Sequence, residues 1–132
     1  MDANKFTQKS VAAIQSAQNY AIEYGNAELT CLHLCYALLE QDGLVFRILK
    51  RAETDAEGFR RAVKEELERL PRISGSGAGQ VYPTAAFSRL LNESENLANG
   101  MKDDYVSVEH LFLCLFDNSE RSEERRVGKE CL

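Results

Sequence analysis

Two histidines are the first candidates for chemistry in this chain. His33 and His110 each stand three residues after a hydroxyl residue, Thr30 and Ser107, and each is followed by a leucine and an apolar run. A neutral imidazole can act as general base, proton shuttle or metal ligand. A matched pair therefore suggests either a metal bridged between equivalent sites or one hydrogen bond at a helix start, made twice. The equivalence of position favours the packing or helix-start role. Cys31-x-His33-x-Cys35 has the outline of a metal motif. On a helix, however, residues 31 and 35 share a face while residue 33 lies about 200° away, so one ion cannot meet all three. Buried apolar thiols are the better reading of these cysteines. Spacing alone places no Ser/His/Asp set and no carboxylate dyad. The glycine-rich stretch Ile73–Gln80 lacks the Gly-Lys-Ser/Thr ending of a phosphate loop and follows no strand pattern. The chain is expected to be no enzyme by itself, with no metal and no bound cofactor.

The same spacing exposes a duplication. The offset from His33 to His110 is 77 residues, and at that offset Ser10–Glu40 aligns without gaps on Phe87–Asp117. The identical pairs are Asn19/Asn96, Ala21/Ala98, His33/His110, Leu34/Leu111 and Leu38/Leu115. Each copy reads as an amphipathic stretch, a short polar break, a hydroxyl residue, then x-x-His-Leu and an apolar run. A duplicated helix pair buries its apolar faces against its own copy.

The elements that carry these residues read as helices. Ile14, Ala17, Ala21 and Tyr24 recur at helical spacing over about Thr7–Tyr24. Thr7 serves as N-cap, Phe6 and Val11 are placed as a hydrophobic staple, and Gly25 suits the position past the end. A second helix starts after Thr30 and is apolar nearly all round, as a central helix must be. A third covers about Leu44–Arg51, with Arg47, Lys50 and Arg51 towards its C-terminus. A fourth opens on Thr54-Asp55-Ala56-Glu57, which spacing reads as a capping box, and stops at Pro71. A fifth follows Pro83-Thr84, with Phe87, Leu90, Leu91, Leu97 and Ala98 on its apolar side. Asp103-Asp104 fall in a loop. A sixth runs from the cap Ser107 to about Phe116, with Glu109 in its first turn. No strand pattern stands out.

Net charge of −5 argues against nucleic acid as a partner. No apolar run approaches the roughly 20 residues that span a bilayer. Met1-Asp2-Ala3-Asn4-Lys5 carries no apolar signal region, so the cytoplasm is the expected compartment. The expected organisation is a first repeat over 1–71, a Gly/Ser linker over 72–83, a second repeat over 84–118 and a tail over 119–132. Adding the offset to residues 43–70 calls for two further helices, so the second repeat is expected to be truncated, leaving apolar surface uncovered on its helices. Arg121–Cys131 shares no pattern with either repeat. It resembles one reading frame of a sequencing-library adapter, and is expected to be an artefact.

Four stretches are similar to a known family: Asn4-Lys5-Phe6-Thr7-Gln8-Lys9-Ser10, Ala21-Ile22-Glu23-Tyr24-Gly25-Asn26, His33-Leu34-Cys35-Tyr36-Ala37-Leu38-Leu39 and Asp104-Tyr105-Val106-Ser107-Val108-Glu109-His110-Leu111-Phe112-Leu113. They resemble the Clp N-terminal repeat domain of AAA+ chaperones, over about residues 4–118. The resemblance implies an all-α domain of two pseudo-symmetric repeats that engages unfolded or aggregated polypeptide. It implies a homohexameric, ATP-hydrolysing parent disaggregase that cooperates with the DnaK chaperone, with ATP bound in domains outside this chain. The alternative it implies is an adaptor-docking N-domain of a Clp protease subunit. Family residues that engage substrate map onto Thr7, Asp103 and Glu109. Leu32 departs from the glutamate that helps relatives of the protease type bind phosphorylated arginine. The seam between the repeats is the expected meeting place with clients.

Overall fold

The computed structural model describes residues 3–41, 43–72 and 80–115. The tail, most of the Gly/Ser linker, Phe116 and Cys131 lie outside them. A short 3-10 turn, Ala3–Lys5, leads into α1 (Gln8–Glu23), α2 (Cys31–Glu40), α3 (Leu44–Arg51), α4 (Ala56–Arg69) and α5 (Ala85–Gly100). A sixth helix, α6, is described over 108–115.

Helix boundaries follow local chemistry. Thr7 caps α1 by accepting from the Ser10 backbone N–H at 3.2 Å, and Thr84 caps α5 by accepting from Phe87 at 3.1 Å. The far end of α1 closes with Gly25 at φ 69°: its N–H reaches Ile22 O, and the N–H of Asn26 reaches Ala21 O at 2.9 Å. This double return is the Schellman arrangement, which a left-handed residue makes possible. The end of α5 repeats it, with Lys102 at φ 61° in the glycine's place and Asp103 N–H reaching Ala98 O at 2.9 Å.

One helix start corrects the spacing argument. The cap of α4 is Asp55, not Thr54; its carboxylate accepts from Gly58 N–H at 3.1 Å. A Cβ at residue 58 would collide with that carboxylate, so glycine lets Asp55 close over the helix end. Spacing favoured Thr54 because a glutamate stands three residues on, but the shorter acid next along makes the tighter cap.

The core is a single apolar cluster to which every helix contributes. Leu34 and Leu111 are both completely buried at corresponding places of α2 and α6. So are Leu38, Leu49, Val63, Leu67 and Leu90, to within 1%. Tyr36 meets Tyr20 edge-on at 5.0 Å between ring centres, and Arg60 of α4 lies 5.8 Å from the Tyr36 ring while pairing with Glu40. In the second half Phe87, Leu90, Leu91, Leu111, Phe112 and Leu115 are buried, while Tyr82, Met101, Tyr105 and Leu113 are exposed.

The expectation of no strand needs a second correction. β1 (Glu28–Leu29) pairs in parallel with β2 (Tyr82–Pro83), and an isolated parallel bridge joins Phe6 to Val106. At the 77-residue offset Phe6 corresponds to Pro83, and Leu29 to Val106. The two ladders are one contact made twice, with the partners exchanged between halves. Thr7 N–H donates to Val106 O at 3.0 Å, and Thr84 N–H donates to Leu29 O at 3.0 Å. Pairs two residues long leave no alternating pattern in a sequence.

Candidate functional site

The two histidines are built into helix starts. In α2, Thr30 Oγ1 accepts from the His33 backbone N–H, while the Thr30 backbone N–H donates to His33 Nδ1 at 3.0 Å. This is a reciprocal capping box with histidine in the place usually taken by glutamate or glutamine. The backbone N–H is an obligate donor, so Nδ1 accepts and Nε2 carries the ring proton. That proton goes to Asn26 Oδ1, 2.9 Å away, and Asn26 Nδ2 donates to Pro71 O at 3.0 Å. The chain of bonds ties the end of α1, the start of α2 and the end of α4 together. Burial pushes the His33 pKa down to about 4.

The second half repeats the arrangement with one change. Ser107 N–H donates to His110 Nδ1 at 2.9 Å, and His110 Nε2 lies 2.9 Å from Asp103 Oδ2. Asp103 stands where the first half has Asn26. Ser107 Oγ is 3.1 Å from the ring, so serine, histidine and aspartate meet within hydrogen-bond reach. The trio is not arranged as a nucleophilic triad. In a triad the base nitrogen facing the serine must be free to take its proton. Here Nδ1 already receives the backbone N–H of that same serine, and the other nitrogen faces the carboxylate. The twin Thr30–His33–Asn26 set, which has no carboxylate, makes the same bonds. Both histidines serve the architecture, as their matched positions predicted.

No group of three or more metal-ligating side chains gathers among the described residues. Cys31, Cys35 and Cys114 are buried. No helix among the described residues is long and apolar enough to cross a membrane.

Of the three residues carried over from family resemblance, Thr7 and Asp103 adjoin the bridge between Phe6 and Val106. Thr7 caps α1, and its N–H reaches Val106 across the repeat boundary. Asp103 bonds His110 and lines a shallow hollow with Lys5, Glu95, Asp104 and Tyr105. Glu109 is exposed in the first turn of α6. The Phe6–Val106 bridge brings Thr7 against the segment that bears both acids. Asn26 was missed as a partner of His33. The signal was present, since Asn26 and Asp103 each precede their histidine by seven residues, but an Asn/Asp difference hides a shared role.

These features define a class: a duplicated helical domain, pinned by paired capping histidines and twin parallel bridges, with an acid-bearing seam. The chain belongs to the Clp repeat (R) N-terminal domain family, whose model matches residues 5–126. It is 38% identical over 133 residues to the chaperone protein ClpB of Nitratidesulfovibrio vulgaris, covering 98% of this chain and 15% of that one. It is 40% identical over 116 residues to ClpB of Bacillus anthracis, covering 86% of this chain and 13% of that one. The chain thus spans about a seventh of the length of these relatives. The fold matches the Hsp104 N-terminal domain of Candida albicans with a TM-score of 0.80 at 24% identity, over 94% of this chain and 82% of that one.

Proposed function

We propose that this chain is the client-engaging N-terminal domain of an ATP-dependent protein disaggregase of the ClpB type, and that it binds unfolded or aggregated polypeptide. The observation that carries the reading is the seam. Thr7 is held against the 103–110 segment by a backbone hydrogen bond to Val106, with Asp103 and Glu109 on the same segment. In this reading the three residues contact the client, weakly and reversibly. The parent is a cytoplasmic hexamer that hydrolyses ATP in other domains and works with DnaK. Six copies around a ring convert weak single contacts into useful avidity. The division into repeats over 1–71 and 84–118, joined by 72–83, belongs to the same reading.

The test is fluorescence anisotropy of a labelled, permanently unfolded protein, such as reduced carboxymethylated α-lactalbumin, titrated with this chain. Saturable binding is expected, weakened by about tenfold when Asp103→Asn and Glu109→Gln are combined, a loss that corresponds to about 1.4 kcal/mol. Equal affinity for the folded, disulfide-intact protein, or no effect of the double substitution, overturns the reading.

A further inference from the structure

The two bridges across the seam are related by duplication but differ in how firmly they are held. At the first, Phe6 is 5% exposed, and the completely buried Ser10 donates its hydroxyl to Val106 O at 2.8 Å, beside the Thr7 N–H that reaches the same oxygen. At the second, Pro83 replaces Phe6 and is exposed, Tyr82 is 64% exposed, and Phe87 stands where Ser10 would supply the hydroxyl. What holds β2 includes the backbone bonds Tyr82 N–H to Ala27 O at 3.1 Å and Thr84 N–H to Leu29 O at 3.0 Å. A two-residue strand with both side chains in water and a proline in it gains little from burial. β1, by contrast, is anchored: Leu29 is 4% exposed, and Asn26 just before it is locked by His33 and Pro71.

We propose that β2 is a placeholder, and that an extended segment of client polypeptide displaces it and pairs with β1. The proposal rests on the client-binding reading above and names where in the seam the client sits. A displacing segment needs two backbone N–H groups two residues apart, to meet the carbonyls of Ala27 and Leu29. Every proline-free extended chain supplies them, which suits a domain that must take many sequences, since strand addition draws affinity from the main chain. The partner is thus an extended segment with no proline at the two donor positions, while the residue between them is free to vary, as Pro83 shows in β2. A folded domain, whose main chain is already paired, cannot present it.

Two measurements test this. The first is amide hydrogen exchange on the unaltered chain, read residue by residue. Without client, the Tyr82 and Thr84 amides are expected to exchange about tenfold or more faster than those of Thr7 and Val106. With saturating reduced carboxymethylated α-lactalbumin, Tyr82 loses protection while Leu29 keeps it. Unchanged or increased protection at Tyr82 on binding overturns the placeholder. The second is a tether, Glu28→Cys with Tyr82→Cys, at positions directly paired in the ladder. The oxidised form is expected to bind the same client about tenfold or more weakly than the reduced form, with recovery on reduction. Equal affinity in both forms shows that the client docks elsewhere on the seam, and leaves the client-binding reading standing. No binding by the unaltered chain overturns both.

Discussion

His33 Nε2 lies 2.9 Å from Asn26 Oδ1, and 77 residues on His110 makes the same 2.9 Å contact to Asp103 Oδ2. An amide and a carboxylate of the same shape thus occupy one structural slot. The first is 4% exposed and bonded at both its oxygen and its nitrogen, while the side chain of the second is 47% exposed. The difference separates what the slot does for the fold from what it offers to a partner.

Asp103→Asn is expected to keep the His110 hydrogen bond, because the amide oxygen accepts as the carboxylate does. Thermal unfolding should stay close to that of the parent chain. Asp103→Ala leaves the ring N–H without its protein partner at a largely buried site and should cost about 1 kcal/mol. Client binding separates the roles. If the charge matters, Asn and Ala weaken binding alike; if only loop geometry matters, Asn behaves as the parent.

Acid should unfold the chain through His33. Its pKa falls from the ordinary 6.5 to about 4 on burial. The unfolded state therefore binds the proton first, and stability is full above about pH 6.5, declines as pH falls and has lost this contribution below about pH 4. The whole effect is about 3 kcal/mol. His33→Gln keeps a capping residue that cannot charge. It should be less stable at pH 7, because the Asn26 contact is lost, yet show a flatter decline. Urea melts from pH 7 to pH 4 measure the two slopes; equal slopes would remove His33 from the account.

Lys102 adopts φ 61° at the end of α5, where the first half uses Gly25. A side chain in the left-handed region is strained, and glycine relieves it. Lys102→Gly should stabilise by about 0.5–1 kcal/mol, and Gly25→Ala should destabilise by about 1 kcal/mol. Chemical denaturation of both variants tests the pair, and a loss of stability in Lys102→Gly contradicts the strain argument.

Thr7→Ala removes the α1 cap and Thr84→Ala the α5 cap, each cap worth about 1 kcal/mol. The Thr7 variant is expected to be the more costly, since Thr7 Oγ1 is also 2.8 Å from the Ser10 hydroxyl that supports the seam. Thr7→Ser preserves both bonds. If it restores stability but not client binding, the methyl group touches the client. Full restoration of both assigns Thr7 to capping.

Much of this was legible in residue order. The capping threonines, the αL glycine and the apolar stripe of α1 act within a few residues of themselves, so spacing located α1, α2 and α3 closely. The duplication followed from the matched histidines. The choice of Asp55 over Thr54 was not legible, because it turns on the room that Gly58 leaves for a carboxylate. Nor were the strands: Phe6 meets Val106, and Leu29 meets Pro83, only when distant loops are brought side by side.

The sequence alone determined the helices, most of their ends and the fact that one unit occurs twice, because capping and amphipathic period are local and act through neighbouring residues. Tertiary structure decided that the copies exchange partners across a seam, that Asn26 and Asp103 hold the histidines, and that the Phe6 bridge is buried while the Pro83 bridge is open to water. Those outcomes depend on which surfaces meet, and burial, unlike helical spacing, is a property of the packed whole.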